Sequence, residues 1–141
     1  MPRMKLSQSA VMYLGIAIGS ALGGAARLWG DEMSGRLFGH SFPWGILLIN
    51  VVGSFIIGFY FTLTGPDGRL LVSTPARQFV MTGFCGGFTT FSAFSLDTFN
   101  LLRDGRLLAA MSNVLLSVGL CLLFVWLGHV LARELSRSRR G

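Results

Sequence analysis

Apolar residues in this chain come in long runs rather than in the alternating or amphipathic patterns of a soluble domain. Four runs reach the roughly 20 residues needed to cross a bilayer: 10–29, 44–64, 77–102 and 107–132. Polar and charged residues collect between them. Pro43 and Pro75 stand just ahead of the second and third runs, where proline suits a helix start. Gly65-Pro66-Asp67-Gly68 is a turn signal, and Asp104-Gly105 marks a short turn before the last run. The pattern predicts an all-α membrane protein with four transmembrane helices in a single unit spanning 1–141.

The third run is irregular. Gly83–Ser95 reads G-F-C-G-G-F-T-T-F-S-A-F-S. A glycine in a helix interior costs about 1 kcal/mol against alanine, and here a Gly pair precedes a Thr pair. Broken backbone at membrane depth is tolerated only where protein or a wet pathway satisfies the freed N–H and C=O groups. The expectation is a helix broken at Gly86-Gly87, forming an ion site; cation and anion are both open at this point.

Composition supports the membrane class: 52% of residues are hydrophobic and 13% charged, against roughly 25% charged in a soluble domain. The net charge of +6 includes a basic tail, Arg133, Arg137, Arg139 and Arg140. In so apolar a chain the tail reads as an anchor facing anionic lipid rather than as a nucleic-acid contact. Arg3 and Lys5 mimic the start of a signal peptide, but the first run is long for one and carries packing glycines, so a retained helix is expected. Four spans place both termini on one side with eight Lys/Arg, against Arg27, Arg36, Arg103 and Arg106 on the other. The bias favours cytoplasmic termini. Without the four tail arginines the sides tie, so orientation is weakly specified.

Several side chains carry candidate chemistry. Gly15, Gly19 and Gly23 recur every four residues, as do Gly83 and Gly87; this spacing lets helix backbones approach closely. Asn50, early in the second run, is either a helix–helix hydrogen bond, a cap on the broken backbone, or a donor on an ion path. Phe91 and Phe94 share a helix face just past the break. Their positive ring edges suit an anion and their negative faces a cation. Asn113, Ser117 and Cys121 form one stripe on the fourth helix, either bonded back to the helix or lining a wet path. Asp97 is the one acid within the predicted spans, and it is expected to pair with an interfacial arginine. Arg27 closes the first span, where it can snorkel or draw anions inward. Cys85, Cys121, His40 and His129 show no metal spacing. No nucleophile stands with a base, so no enzyme is expected.

The segments G-G-A-A-R (Gly23–Arg27), W-G-I-L-L-I-N-V-V-G-S-F (Trp44–Phe55) and G-F-C-G-G-F-T-T-F-S-A-F-S (Gly83–Ser95) together resemble the Fluc/CrcB fluoride channel family. The resemblance covers all four spans in order. It implies a fluoride-selective channel for passive export from a bacterial plasma membrane, built as an antiparallel, dual-topology homodimer with two pores. It further implies a structural sodium ion held by backbone carbonyls at Gly86 and Thr89 of both copies. The fluoride pathway would be lined by Asn50, Phe91, Ser92, Phe94, Ser95, Asn113 and Ser117, with Arg27 in the vestibule. Ala93 stands where relatives often carry Thr, Asn113 where Tyr is common, and Cys121 where Ser occurs. The rival, a small dual-topology multidrug transporter, needs a buried acid in the first span, and 10–29 contains none.

Overall fold

A computed structural model describes residues 6–138. Arg3, Lys5, Arg139 and Arg140, part of the charge argument, lie outside the described residues. The described chain is all-helical, with four helical segments long and apolar enough to cross a membrane. Helix α1 is Leu6–Phe38 and α2 is Trp44–Leu63. The third span, Thr74–Arg103, divides into α3, residues 74–88, and α4, Phe91–Arg103. The last helix, α5, is Leu107–Arg137.

The helix ends follow from local chemistry. Gly39 takes a positive φ of 79° and donates its N–H to the Gly35 carbonyl at 2.9 Å, ending α1 with a left-handed cap. This lets α1 run past residue 29, the end expected from hydropathy, through Asp31, Glu32 and Arg36. Ser73 opens α3 by accepting the Ala76 N–H at 3.4 Å, with Pro75 in the first turn. Gly105, at φ 73°, turns the chain between α4 and α5.

The third span departs from the expected form in an instructive way. The Gly pair does not break it: Gly86–Phe88 is an α-turn, preceded by a π-helical stretch, Phe79–Cys85. The interruption lies at the Thr pair. Thr89 (φ −81°, ψ 157°) and Thr90 (φ −155°, ψ 118°) are both extended. Glycine is poor helix material, yet it is selected here by close packing rather than by breakage.

That packing is against α1. A Cβ added at Gly19 would lie 2.6 Å from the Phe79 carbonyl oxygen, and one at Gly23 would strike the Phe84 carbonyl. From the other side, Gly83 faces the Ile16 backbone and Gly87 the Ser20 backbone. Gly15 has only the Phe79 ring at 4.0 Å and is not part of the tight seam. The wide π turns thus lie flush on the α1 glycine stripe, as small residues at helix interfaces allow. Ser20 adds a hydrogen bond to the Gly83 carbonyl at 3.3 Å.

The most extensive packing joins α2 and α5. There Gly58 meets the Val125 carbonyl and Gly128 the Phe55 carbonyl, a second seam that the sequence reading did not single out. The two halves of the third span have different hosts: residues 79–88 lie mainly on α1, and α4 lies on α5. Outer surfaces carry Leu14, Leu115, Leu122 and Trp126, while Thr90, Asn113 and Ser117 are buried. Apolar residues outside and satisfied polar groups inside are what hydrocarbon solvent demands.

The glycine seam gives the first prediction. Gly23→Leu must push apart two backbones, an overpacking cost of about 1–3 kcal/mol or more. Gly24→Leu meets open space, with no atom within 4 Å of its Cβ position. The expected result is loss of the monodisperse folded peak in detergent for Gly23→Leu alone. Equal behaviour of the two variants would remove the seam from the account.

Candidate functional site

The site is assembled around the interruption. Two extended residues leave N–H and C=O groups without helical partners, and at membrane depth each unpaired group is expensive. Asn50 of α2 resolves this for Thr90. Its Nδ2 donates to the Thr90 carbonyl at 3.0 Å, and its Oδ1 accepts the Thr90 N–H at 2.8 Å. One amide side chain therefore pairs with both polar groups of one residue, as a neighbouring strand would. Of the readings open for Asn50, the cap on broken backbone is the one that the geometry shows.

Thr90 then starts the next helix. Its Oγ1 accepts the Ala93 N–H at 3.1 Å, the geometry of an N-cap, and it also lies 3.1 Å from Ser92 Oγ. Thr89 closes the preceding helix: its N–H and its Oγ1 both donate to the Cys85 carbonyl, at 2.9 and 2.8 Å. Among the described residues no donor outside the helix reaches the carbonyls of Gly86 and Thr89. Gly86 is exposed on the outer surface of the protomer, and a side chain there would meet nothing within 4 Å.

Beside the interruption lies a cavity of about 360 Å³. Asn50, Ser54, Thr89, Thr90, Phe91, Phe94, Ser117 and Cys121 border it, and no charged residue does. Phe94 is 9% exposed and Phe91 77%. Their ring centroids are 5.3 Å apart with planes tilted by 49°. Phe94 is thus fixed in the protein, while Phe91 lies on the outer face of the protomer.

Behind the cavity wall runs a short relay. Asn113, 2% exposed, donates from Nδ2 to Thr98 Oγ1 at 3.0 Å, and Ser117 Oγ points to Asn113 Oδ1 at 3.5 Å. Ser117 does not bond back to its own helix backbone, so the stripe reading describes it better than the local one. Asn113 supports the wall from behind instead of bordering the cavity.

Three expected site residues stand apart. Ser92 and the half-buried Arg27 border a different cavity of about 610 Å³, which Thr90 also borders. Ser95 is exposed and donates to the Phe91 carbonyl of its own helix at 2.9 Å; it borders neither cavity. Asp97 forms no ion pair among the described residues. It borders a cavity at the far end of the bundle together with Asp31, Glu32, Asp104 and Arg106.

Sequence reasoning missed Thr90 and Thr98. For Thr90 a signal existed: a Thr three residues ahead of Ala93, where a helix restarts, is an N-cap pattern. For Thr98 there was none, since its partner Asn113 lies on another helix.

Together these features define a four-span membrane protein with an interrupted third span and an uncharged, hydroxyl- and ring-lined cavity at the interruption. The chain belongs to the CrcB family: the profile described as CrcB-like protein, Camphor Resistance (CrcB), matches residues 14–129. It is 57% identical over 127 residues to the fluoride-specific ion channel FluC of Methylocella silvestris, covering 90% of this chain and 97% of that protein. It is also 57% identical over 121 residues to FluC of Opitutus terrae, covering 86% and 92%. With FluC 1 of Rhodopseudomonas palustris it shares 53% over 135 residues, 96% of each.

The Asn50 clamp is testable. Asn50→Leu leaves the Thr90 N–H and C=O without partners, a cost of about 1–3 kcal/mol for each buried group. Asn50→Asp keeps the acceptor and loses the donor. Thermal unfolding in detergent should rank wild type above Asn50→Asp and Asn50→Asp above Asn50→Leu. An Asn50→Leu midpoint equal to wild type would contradict the clamp.

Proposed function

We propose that the protein is a fluoride-selective channel that lets fluoride leave the bacterial cytoplasm passively through the plasma membrane. The observation that carries this reading is the uncharged cavity at the clamped interruption, lined by hydroxyls, an amide and phenylalanine rings. Three relatives, each covered over more than nine-tenths of its length, carry the name fluoride-specific ion channel.

Fluoride is small and tightly hydrated, so a path must replace water with donors while leaving the ion free to move on. A full positive charge would hold it. Ser and Thr hydroxyls and the positive edges of Phe91 and Phe94 donate more weakly. The long Ser117–Asn113 contact is weak, so the Ser117 proton turns readily toward an arriving anion. Arg27 and Ser92 form the mouth: their cavity shares Thr90 with the uncharged one, and the Arg27 guanidinium raises the local anion concentration. Asn50, Asn113 and Thr98 act from behind by fixing the wall. Ser95, bonded to its own helix, has the weakest claim to the path.

The assembly we propose is an antiparallel, dual-topology homodimer. Gly86 and Phe91 are exposed beside the interruption in the protomer, and a second copy seated there would cover both. The donor set at Gly86 and Thr89 fits a sodium ion, because unpaired backbone carbonyls are hard oxygen ligands and two copies double their number. When bound, sodium supplies positive charge between the copies and ties their interruptions together.

Two expectations follow. Reconstituted protein should release fluoride and retain chloride when a potassium ionophore balances charge, and Phe94→Ile should lower the fluoride rate about tenfold, the effect of one lost ~1.4 kcal/mol interaction. Equal chloride release would defeat selectivity, and an unchanged Phe94→Ile rate would remove the ring. Single cysteines placed near opposite ends of α5 in a cysteine-free background should crosslink across copies in the antiparallel sense. Exclusively parallel products would rule out dual topology.

A further inference from the structure

The end of the bundle where α2 finishes and α5 nears its C-terminus carries a second cavity, about 500 Å³ in volume. Phe61 and Thr62 border it from α2, Pro66 and Asp67 from the following turn, and His129, Arg133, Ser136 and Arg137 from α5. We propose that this cavity binds the phosphate headgroup of an anionic phospholipid.

The donors converge for this role. Thr62 Oγ1 donates its one proton to the Gly58 carbonyl at 2.9 Å. It also lies 2.8 Å from His129 Nδ1. Since the hydroxyl proton is already used, Nδ1 carries the proton in that contact. The imidazole is thereby held across the helix pair with its other nitrogen free. Arg133 has no carboxylate partner among the described residues. Arg137 reaches Glu134 at 3.4 Å, but both side chains are largely exposed, and such a pair exchanges readily for a phosphate. Asp67 is the one acid on the rim. The negative end of the α5 dipole is felt within the last turn, beyond His129 and Arg133.

The surroundings favour lipid over free phosphate. Phe61 forms a wall of the cavity and is 55% exposed, an apolar surface for the start of an acyl chain. Leu131 and Leu135 are exposed on the neighbouring turns of α5. A guanidinium pair above an apolar wall fits a headgroup at the membrane boundary, where each basic residue contributes roughly 1 kcal/mol toward anionic lipid. A structural alternative, in which the basic residues simply remain solvated, predicts no preference among headgroups.

The experiment is native mass spectrometry of the full chain in detergent with added phosphatidylglycerol or phosphatidylcholine. Phosphatidylglycerol should bind in preference. Arg133→Ala should lower that binding about fivefold, and Arg133→Ala with Arg137→Ala about 25-fold. Arg133→Lys should retain most of it, because a point charge still binds phosphate. Elution of the folded protein should be unchanged, since Arg133 and Arg137 are exposed. Inorganic phosphate at millimolar concentration should not displace the lipid. Equal binding of the two lipids, retention by the double variant, or displacement by free phosphate would each overturn the assignment.

Discussion

Everything at the centre of this protein depends on one pairing, the Asn50 amide with the backbone of Thr90. A helix can stop in hydrocarbon only if something else satisfies the polar groups it releases. Asn50 does so with a donor and an acceptor at 3.0 and 2.8 Å. With that accounting closed, the chain can change direction at membrane depth without admitting water to bare backbone. The same pairing sets where α4 begins, and so where Phe94 sits relative to Ser117.

The interruption is also a boundary between two packing units. Upstream, the third span lies on the glycine seam of α1; downstream, α4 lies on α5. Neither host reaches across. The extended pair Thr89–Thr90 lets each half take the orientation its own host requires, and α2 holds the joint through Asn50. The uncharged cavity lies at this joint because only there do α2, α5 and both halves of the third span come together.

Much of this was legible in the chain. Four long apolar runs gave four spans because length and hydropathy leave few alternatives in a bilayer. The glycine spacing marked a close helix contact, and the G-G-F-T-T segment marked an irregular third span. What misled was intrinsic propensity. Gly86-Gly87 looked like the break because glycine weakens isolated helices, but here tertiary contact with Ser20 keeps the pair helical. The threonines break instead because Asn50, some forty positions earlier, offers them a better bond. Contacts between distant segments likewise hid the Thr98–Asn113 pair and the Gly58–Gly128 seam. The π-helical stretch had no signature at all, since it arises from how α3 fits α1.

That π stretch sets a limit on chain length. A π turn holds one residue more than an α turn, so Phe79–Cys85 stores surplus chain just upstream of the joint. Removing a single residue there would let the segment relax to a regular helix, yet everything beyond would rotate by roughly 100°. Thr90 would swing away from Asn50 while every helix kept its hydrogen bonds. The span therefore tolerates exchange of side chains more readily than a change in residue count: between Pro75 and Thr90, the number of residues is itself a structural element.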